Sequence, residues 1–155
     1  MGESGLKWEK QGDVFLGEFV HTIDEKSRLT LPAKFRTRLA DGVVLTPGLD
    51  RCLQVYPLDE FRTLFDRVTS LPMTSREAMT LRRLLFSNAH DVTPDKQNRV
   101  LIPQPLREYA SLTNEAVVVG VGKFIEVWNP QEWQRARQEI QSHAAQRDIW
   151  AGLGI

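Results

Sequence analysis

The densest collection of groups able to do chemistry lies in thirteen residues, Asp24 to Arg36, reading DEKSRLTLPAKFR. The stretch returns, altered, at Asp95 to Arg107 as DKQNRVLIPQPLR. At an offset of 71 four positions are identical: Asp24/Asp95, Arg28/Arg99, Pro32/Pro103 and Arg36/Arg107. Each copy sets a carboxylate four residues ahead of an arginine. A carboxylate that moves protons must be poised near the working pH, and a neighbouring guanidinium holds it ionised instead. Asp24 and Asp95 therefore read as turn-formers paired with Arg28 and Arg99, not as an acid–base couple.

Other catalytic chemistry finds little support. His21, His90 and His143 stand without further ligands at metal-binding spacing, and neither H-E-x-x-H nor paired cysteines occur. No Gly-rich phosphate loop or G-x-S-x-G elbow is present. Cys52 is the single cysteine, which excludes an intrachain disulfide. It aligns with Phe124 of the second copy and reads as a small core hydrophobe rather than a nucleophile. No enzyme, cofactor or metal is expected.

The cations are another matter. The whole chain is neutral, with 20 basic and 20 acidic residues, which argues against non-specific coating of nucleic acid. The charge is uneven, however. Lys26, Arg28, Lys34, Arg36 and Arg38 face only Asp24 and Glu25 across 24–38, and the second copy adds Lys96, Arg99 and Arg107 against Asp95 and Glu108. A cationic turn–strand–helix unit suits DNA. Arginine can bond guanine O6 and N7 bidentately, while Lys26 and Lys34 would neutralise phosphates. Asp24 would then aim Arg28. A few cations bind weakly alone, so several copies on an oligomer would be needed to raise affinity.

These groups need a scaffold, and the repeat supplies one. With one residue inserted the offset becomes 72, placing Leu53-Gln54-Val55-Tyr56 over Ile125-Glu126-Val127-Trp128 and Gly48 over Gly120. The unit is thus a module of about fifty residues present twice, too few copies for a solenoid. Each module reads strand, polar turn, short strand, proline-led short helix, then a hairpin and a longer helix. Phe15 to Ile23 is the first strand; Pro32 opens a helix to about Ala40. Val43–Thr46 and Cys52–Tyr56 form a hairpin, and Leu58, Phe61, Leu64, Phe65 and Val68 share one helix face. Thr74 or Ser75 caps a linker helix, with Glu77 completing a capping box on Thr74. Ala116–Val121 and Phe124–Trp128 form the second hairpin, and a last helix runs from Pro130 to about Gln146.

The expected organisation is a disordered extension over 1–13, a first repeat over 15–72, a linker helix over 73–89, a second repeat over 90–148 and a loose apolar tail over 149–155. Composition is that of a globular chain, 41% hydrophobic and 26% charged. No apolar run approaches a membrane span and the first residues lack a secretory h-region, which points to the cytoplasm.

At these residues the chain resembles a known family. Phe15-Leu16-Gly17, the motif from Asp24 through Arg28 and Pro32 to Arg36, the second Asp95-x-x-x-Arg99, and Leu112 with Ala116-Val-Val-Val-Gly120 resemble MraZ, a bacterial transcriptional regulator family of the AbrB-like superfamily. The resemblance runs from about Phe15 to Trp150. It implies an α+β fold: a pseudo-symmetric swapped-hairpin β-barrel built from two tandem repeats, with peripheral helices. It implies a ring-shaped homo-oligomer that binds double-stranded promoter DNA bearing repeated boxes, ahead of the division and cell-wall gene cluster whose first gene encodes the regulator itself. Repression is the usual outcome, and a nucleoid-associated location follows. The DNA-contacting motif carries over to Asp24, Lys26 and Arg28 and to Asp95, Lys96 and Arg99, with Lys34 and Arg36 alongside. Family chains usually start near Phe15, so the preceding residues depart from the pattern. The family often has glycine before the motif arginine, where Ser27 and Asn98 stand here. An antitoxin-like DNA-binding and interaction module is the alternative. It wants an acidic C-terminal tail, whereas residues 129–155 balance Arg135, Arg137 and Arg147 against Glu132, Glu139 and Asp148.

Overall fold

The computed structural model describes residues 14–144 and 147–154. The first module contributes β1 (Glu18–Thr22), β2 (Arg28–Thr30), a 3-10 turn (Ala33–Phe35) running into α1 (Arg36–Leu39), β3 (Val43–Pro47), β4 (Leu53–Pro57) and α2 (Leu58–Thr69). The linker is α3 (Arg76–Asn88). The second module repeats the order with β5 (His90–Val92), β6 (Arg99–Leu101), α4 (Gln104–Tyr109), β7 (Glu115–Gly120), β8 (Ile125–Trp128) and α5 (Pro130–Ala144), followed by α6 (Arg147–Gly152). The expected 1–13 extension lies outside the described residues.

The modules exchange their first strands. β1 pairs antiparallel with β7 of the second module, and β5 pairs with β3 of the first. β4 and β8 join the two hairpins. One six-stranded antiparallel sheet results, in the order β1-β7-β8-β4-β3-β5. β2 and β6 form a separate two-stranded ribbon, with Leu29 opposite Val100, tied to the sheet by a bridge between Ile23 and Leu29. Alternate residues point inward along each strand. Leu29 and Val100 of the ribbon thus meet Leu45, Val55, Val118 and Val127 of the sheet in one core. Neither module could bury this core alone, because each lacks the strand its partner lends.

Register refines the repeat. Val43 lies opposite Val92 and Ala116 opposite His21, so β3 and β7 correspond at an offset of 73, not 72. The first hairpin leaves 48–52 between the paired Pro47 and Leu53; the second leaves 121–124 between Gly120 and Ile125, one residue fewer. The sequence match of Gly48 with Gly120 is therefore one place out. Gly120 is held by a close approach: a Cβ there would lie 2.5 Å from the Leu16 backbone nitrogen.

Two further expectations need correction. Ser75, not Thr74, caps α3; its hydroxyl accepts from the Ala78 N–H at 3.2 Å and donates to Glu77, so no box forms on Thr74. The apolar face of α2 is only partly covered, with Val68 buried but Leu58 and Phe65 exposed. The end of the chain is not wholly loose: 147–152 form a helical turn closed by the Leu153 N–H on Ile149. Residues 130–144 are helix rather than an extended acidic tail.

Candidate nucleic-acid interface

The two Asp-x-x-x-Arg turns are the same structure built twice. Asp24 Oδ1 accepts from the N–H groups of Lys26 and Arg28, both at 2.9 Å, and Oδ2 accepts from Arg28 Nε at 2.8 Å. Asp95 Oδ1 accepts from the N–H groups of Gln97 and Arg99 at 2.9 Å, and Oδ2 from Arg99 Nε at 2.9 Å. Each turn is closed by two backbone bonds: Asp24 N–H to Arg28 O at 3.0 Å and Ser27 N–H to Asp24 O at 2.9 Å, with the same distances at Asp95/Arg99 and Asn98/Asp95. This closure forces a left-handed residue before each arginine, Ser27 at φ 65° and Asn98 at φ 61°. A short polar side chain such as aspartate suits these turns because it can satisfy the amides of the bend itself.

Charge follows from that geometry. Both carboxyls are held below the usual aspartate value, first by the backbone N–H of Arg28 or Arg99, against some opposing desolvation, and further by the arginine side chain. Both acids are thus anions at neutral pH, and each commits its arginine's Nε. The donors that remain are on the two Nη atoms, the forked edge suited to bidentate contact. Arg28 and Arg99 are neither fully buried nor fully displayed, with side-chain exposures of 31% and 24%.

Strand exchange brings the two turns together, which the repeat alone did not reveal. Arg99 Nη1 lies 3.7 Å from Asp24 Oδ2, so the first turn's carboxylate touches both arginines. Arg36 Nη2 donates to the backbone oxygen of Lys96 at 2.6 Å. The N–H of Leu31 donates to Asn98 O at 2.8 Å and that of Ile102 to Ser27 O at 2.9 Å, so each turn is stitched to the other module's strand end. Lys26, Lys34, Arg36 and Lys96 are exposed around this network. All eight expected site residues fall in or beside it. Three of them differ from expectation: the motif arginines Arg28 and Arg99 are half-buried, and Arg36 is engaged with the second turn. Its counterpart Arg107 instead donates from Nε to Ile102 O at 3.1 Å.

Sequence reasoning missed Asn98. It is buried, and its amide donates to Leu31 O at 3.0 Å in the other module. The only signal was its tolerance of positive φ. Elsewhere, Cys52 is buried and donates to Leu49 O at 3.0 Å. Burial pushes its thiol far up, and Glu126 adds to this, the state of an inert core residue. Among the described residues no group of three or more His, Cys, Asp or Glu could hold a metal ion, and no helix is long and apolar enough to cross a membrane.

The family model of the MraZ protein matches twice, over 14–84 and 85–149. The chain belongs to the MraZ family. The two matches meet inside the linker helix α3, so each takes in one of the two modules described above. Among proteins named "Transcriptional regulator MraZ", the chain is 51% identical to that of Herpetosiphon aurantiacus over 121 residues, 78% of this chain and 85% of the relative. It is 46% identical to that of Roseiflexus castenholzii over 132 residues, 85% and 92% of the two chains. It is 44% identical to that of Desulfitobacterium hafniense over 143 residues, 92% of this chain and all of the relative.

Proposed function

We propose that this MraZ chain is a sequence-specific DNA-binding transcriptional regulator. The observation that carries the reading is the pairing of the two Asp-x-x-x-Arg turns into one network, with Nη donors remaining on Arg28 and Arg99 and exposed Lys26, Lys34, Arg36 and Lys96 around it. The name shared by its relatives supports it. Asp24 and Asp95 aim the arginines, Arg28 and Arg99 read base edges, and the surrounding cations meet phosphates.

The finer reading is a repressor of the division and cell-wall gene cluster, acting at its own promoter in the cytoplasm at the nucleoid. It binds repeated boxes as a ring-shaped homo-oligomer, whose many turns offset the few cations of each. The sheet and the β2–β6 ribbon close around the core as a swapped-hairpin barrel, with repeats over 15–72 and 90–148 joined by the 73–89 linker and with 149–155 as the tail. The test is an electrophoretic shift on promoter DNA with one box or several, together with a size measurement. Arg28→Ala is expected to abolish the specific shift and leave the assembly intact. A wild-type chain that gives no shift at moderate salt is a structural assembly, not a regulator, and an Arg28→Ala chain that disassembles makes Arg28 a scaffold residue.

A further inference from the structure

We propose that Asp24 is a shared positioning residue for both arginines, so that the two turns of one chain read a single short DNA element as a unit. This rests on the DNA-binding reading above and names the part each turn plays in it. The two acids are equivalent in sequence but not in contacts. Of the two motif arginines Asp95 pairs with Arg99 only, at 2.9 Å. Asp24 meets Arg28 at 2.8 Å and Arg99 at 3.7 Å, through the same oxygen, Oδ2.

That shared oxygen sets a length. Arg28 Nε and Arg99 Nη1 stand no further apart than the sum of their two distances to it, 6.5 Å. Base pairs stack about 3.4 Å apart, so the two guanidiniums fall on neighbouring steps of one groove. Half-sites one helical turn apart, about 34 Å, are out of reach of a single chain. The tandem repeat in the protein therefore does not correspond to a tandem repeat in the DNA. Repeated boxes are matched by copies of the chain, and each chain covers one box with both turns.

Arg36 on Lys96 O and Asn98 on Leu31 O hold the turns in this relation. Arginines already fixed by a carboxylate lose less side-chain freedom on binding, which favours one geometry of contact. With Asp24 as the common anchor, its loss frees Arg28 and takes from Arg99 the second of its two anionic contacts, while loss of Asp95 affects Arg99 alone.

The experiment is a base-pair substitution scan of the promoter fragment upstream of the chain's own gene, read by electrophoretic shift. Wild type is compared with Arg28→Ala, Arg99→Ala, Asp24→Asn and Asp95→Asn, with thermal unfolding and assembly size measured for each. The positions at which Arg28→Ala and Arg99→Ala lose discrimination are expected within about three consecutive base pairs. Asp24→Asn is expected to lower discrimination about tenfold at both sets, and Asp95→Asn only at the Arg99 set. Arginine-dependent positions a helical turn apart, or an Asp24→Asn variant that spares the Arg99 set, overturn the proposal. Should Asp24→Asn not fold, Asp24→Glu carries the same comparison, and the arginine mapping stands without either. A wild-type chain that gives no specific shift instead removes the DNA-binding reading itself.

Discussion

The side-chain amide of Asn98 donates to the backbone oxygen of Leu31 at 3.0 Å, bridging 67 positions of sequence and the two modules. It also reaches Pro32 O at 3.4 Å. The amide thereby serves a carbonyl where the first module's strand turns into its helix. Ser27, at the corresponding place in the first turn, shares the left-handed backbone but has no amide to give.

Removing that amide should be costly. Asn98→Ala loses a buried hydrogen bond and sets a Cβ without a polar partner at φ 61°. A loss of about 2–3 kcal/mol is expected in urea unfolding. Ser27→Gly relieves the same strain at φ 65° with no such loss, and should gain about 0.5–1 kcal/mol after the entropy of a freer unfolded chain is counted.

Gly120 tolerates no side chain. An added Cβ would meet Leu16 N and Phe15 C at 2.5 Å, both backbone atoms that cannot rotate away. Gly120→Ala should peel the Phe15 end of the exchanged strand from β7 and destabilise by more than about 3 kcal/mol. Chemical denaturation with tryptophan fluorescence would measure it.

Lysines that meet phosphates have a thermodynamic signature. Lys26→Ala and Lys96→Ala should each weaken binding to all duplexes alike and reduce the slope of log K against log salt by about one. A shift titration at several salt concentrations reads this directly, and an unchanged slope removes that lysine from the phosphate contacts.

The depressed carboxyls of Asp24 and Asp95 predict a pH dependence. A group whose folded pKa lies below its unfolded value contributes stability above the unfolded value, and that contribution fades as pH falls through the folded one. The turns should hold at neutral pH and weaken only below the ordinary aspartate range. In urea unfolding across acid pH, Asp24→Asn with Asp95→Asn should flatten the profile relative to wild type.

Cys52 should ignore alkylating reagents in the native state. The thiol is buried and its deprotonation is pushed up by that burial, so almost no thiolate exists at pH 7. Mass spectrometry should find adducts after iodoacetamide only when denaturant is present.

Sequence alone determined the duplicated module, the order of strands and helices within it, and the Asp-to-Arg turns. These are local matters, governed by periodicity, proline and glycine placement and side-chain bonds over four residues. Tertiary structure alone decided that β1 pairs with β7 and β5 with β3. It alone brought Arg99 to Asp24 and Arg36 to Lys96, and it put Asn98 under Leu31. A repeat reports that two segments are alike, but it carries no information on where one lies relative to the other. That relation was set by the burial of a core shared between the modules, which neither can complete without the strand of its twin.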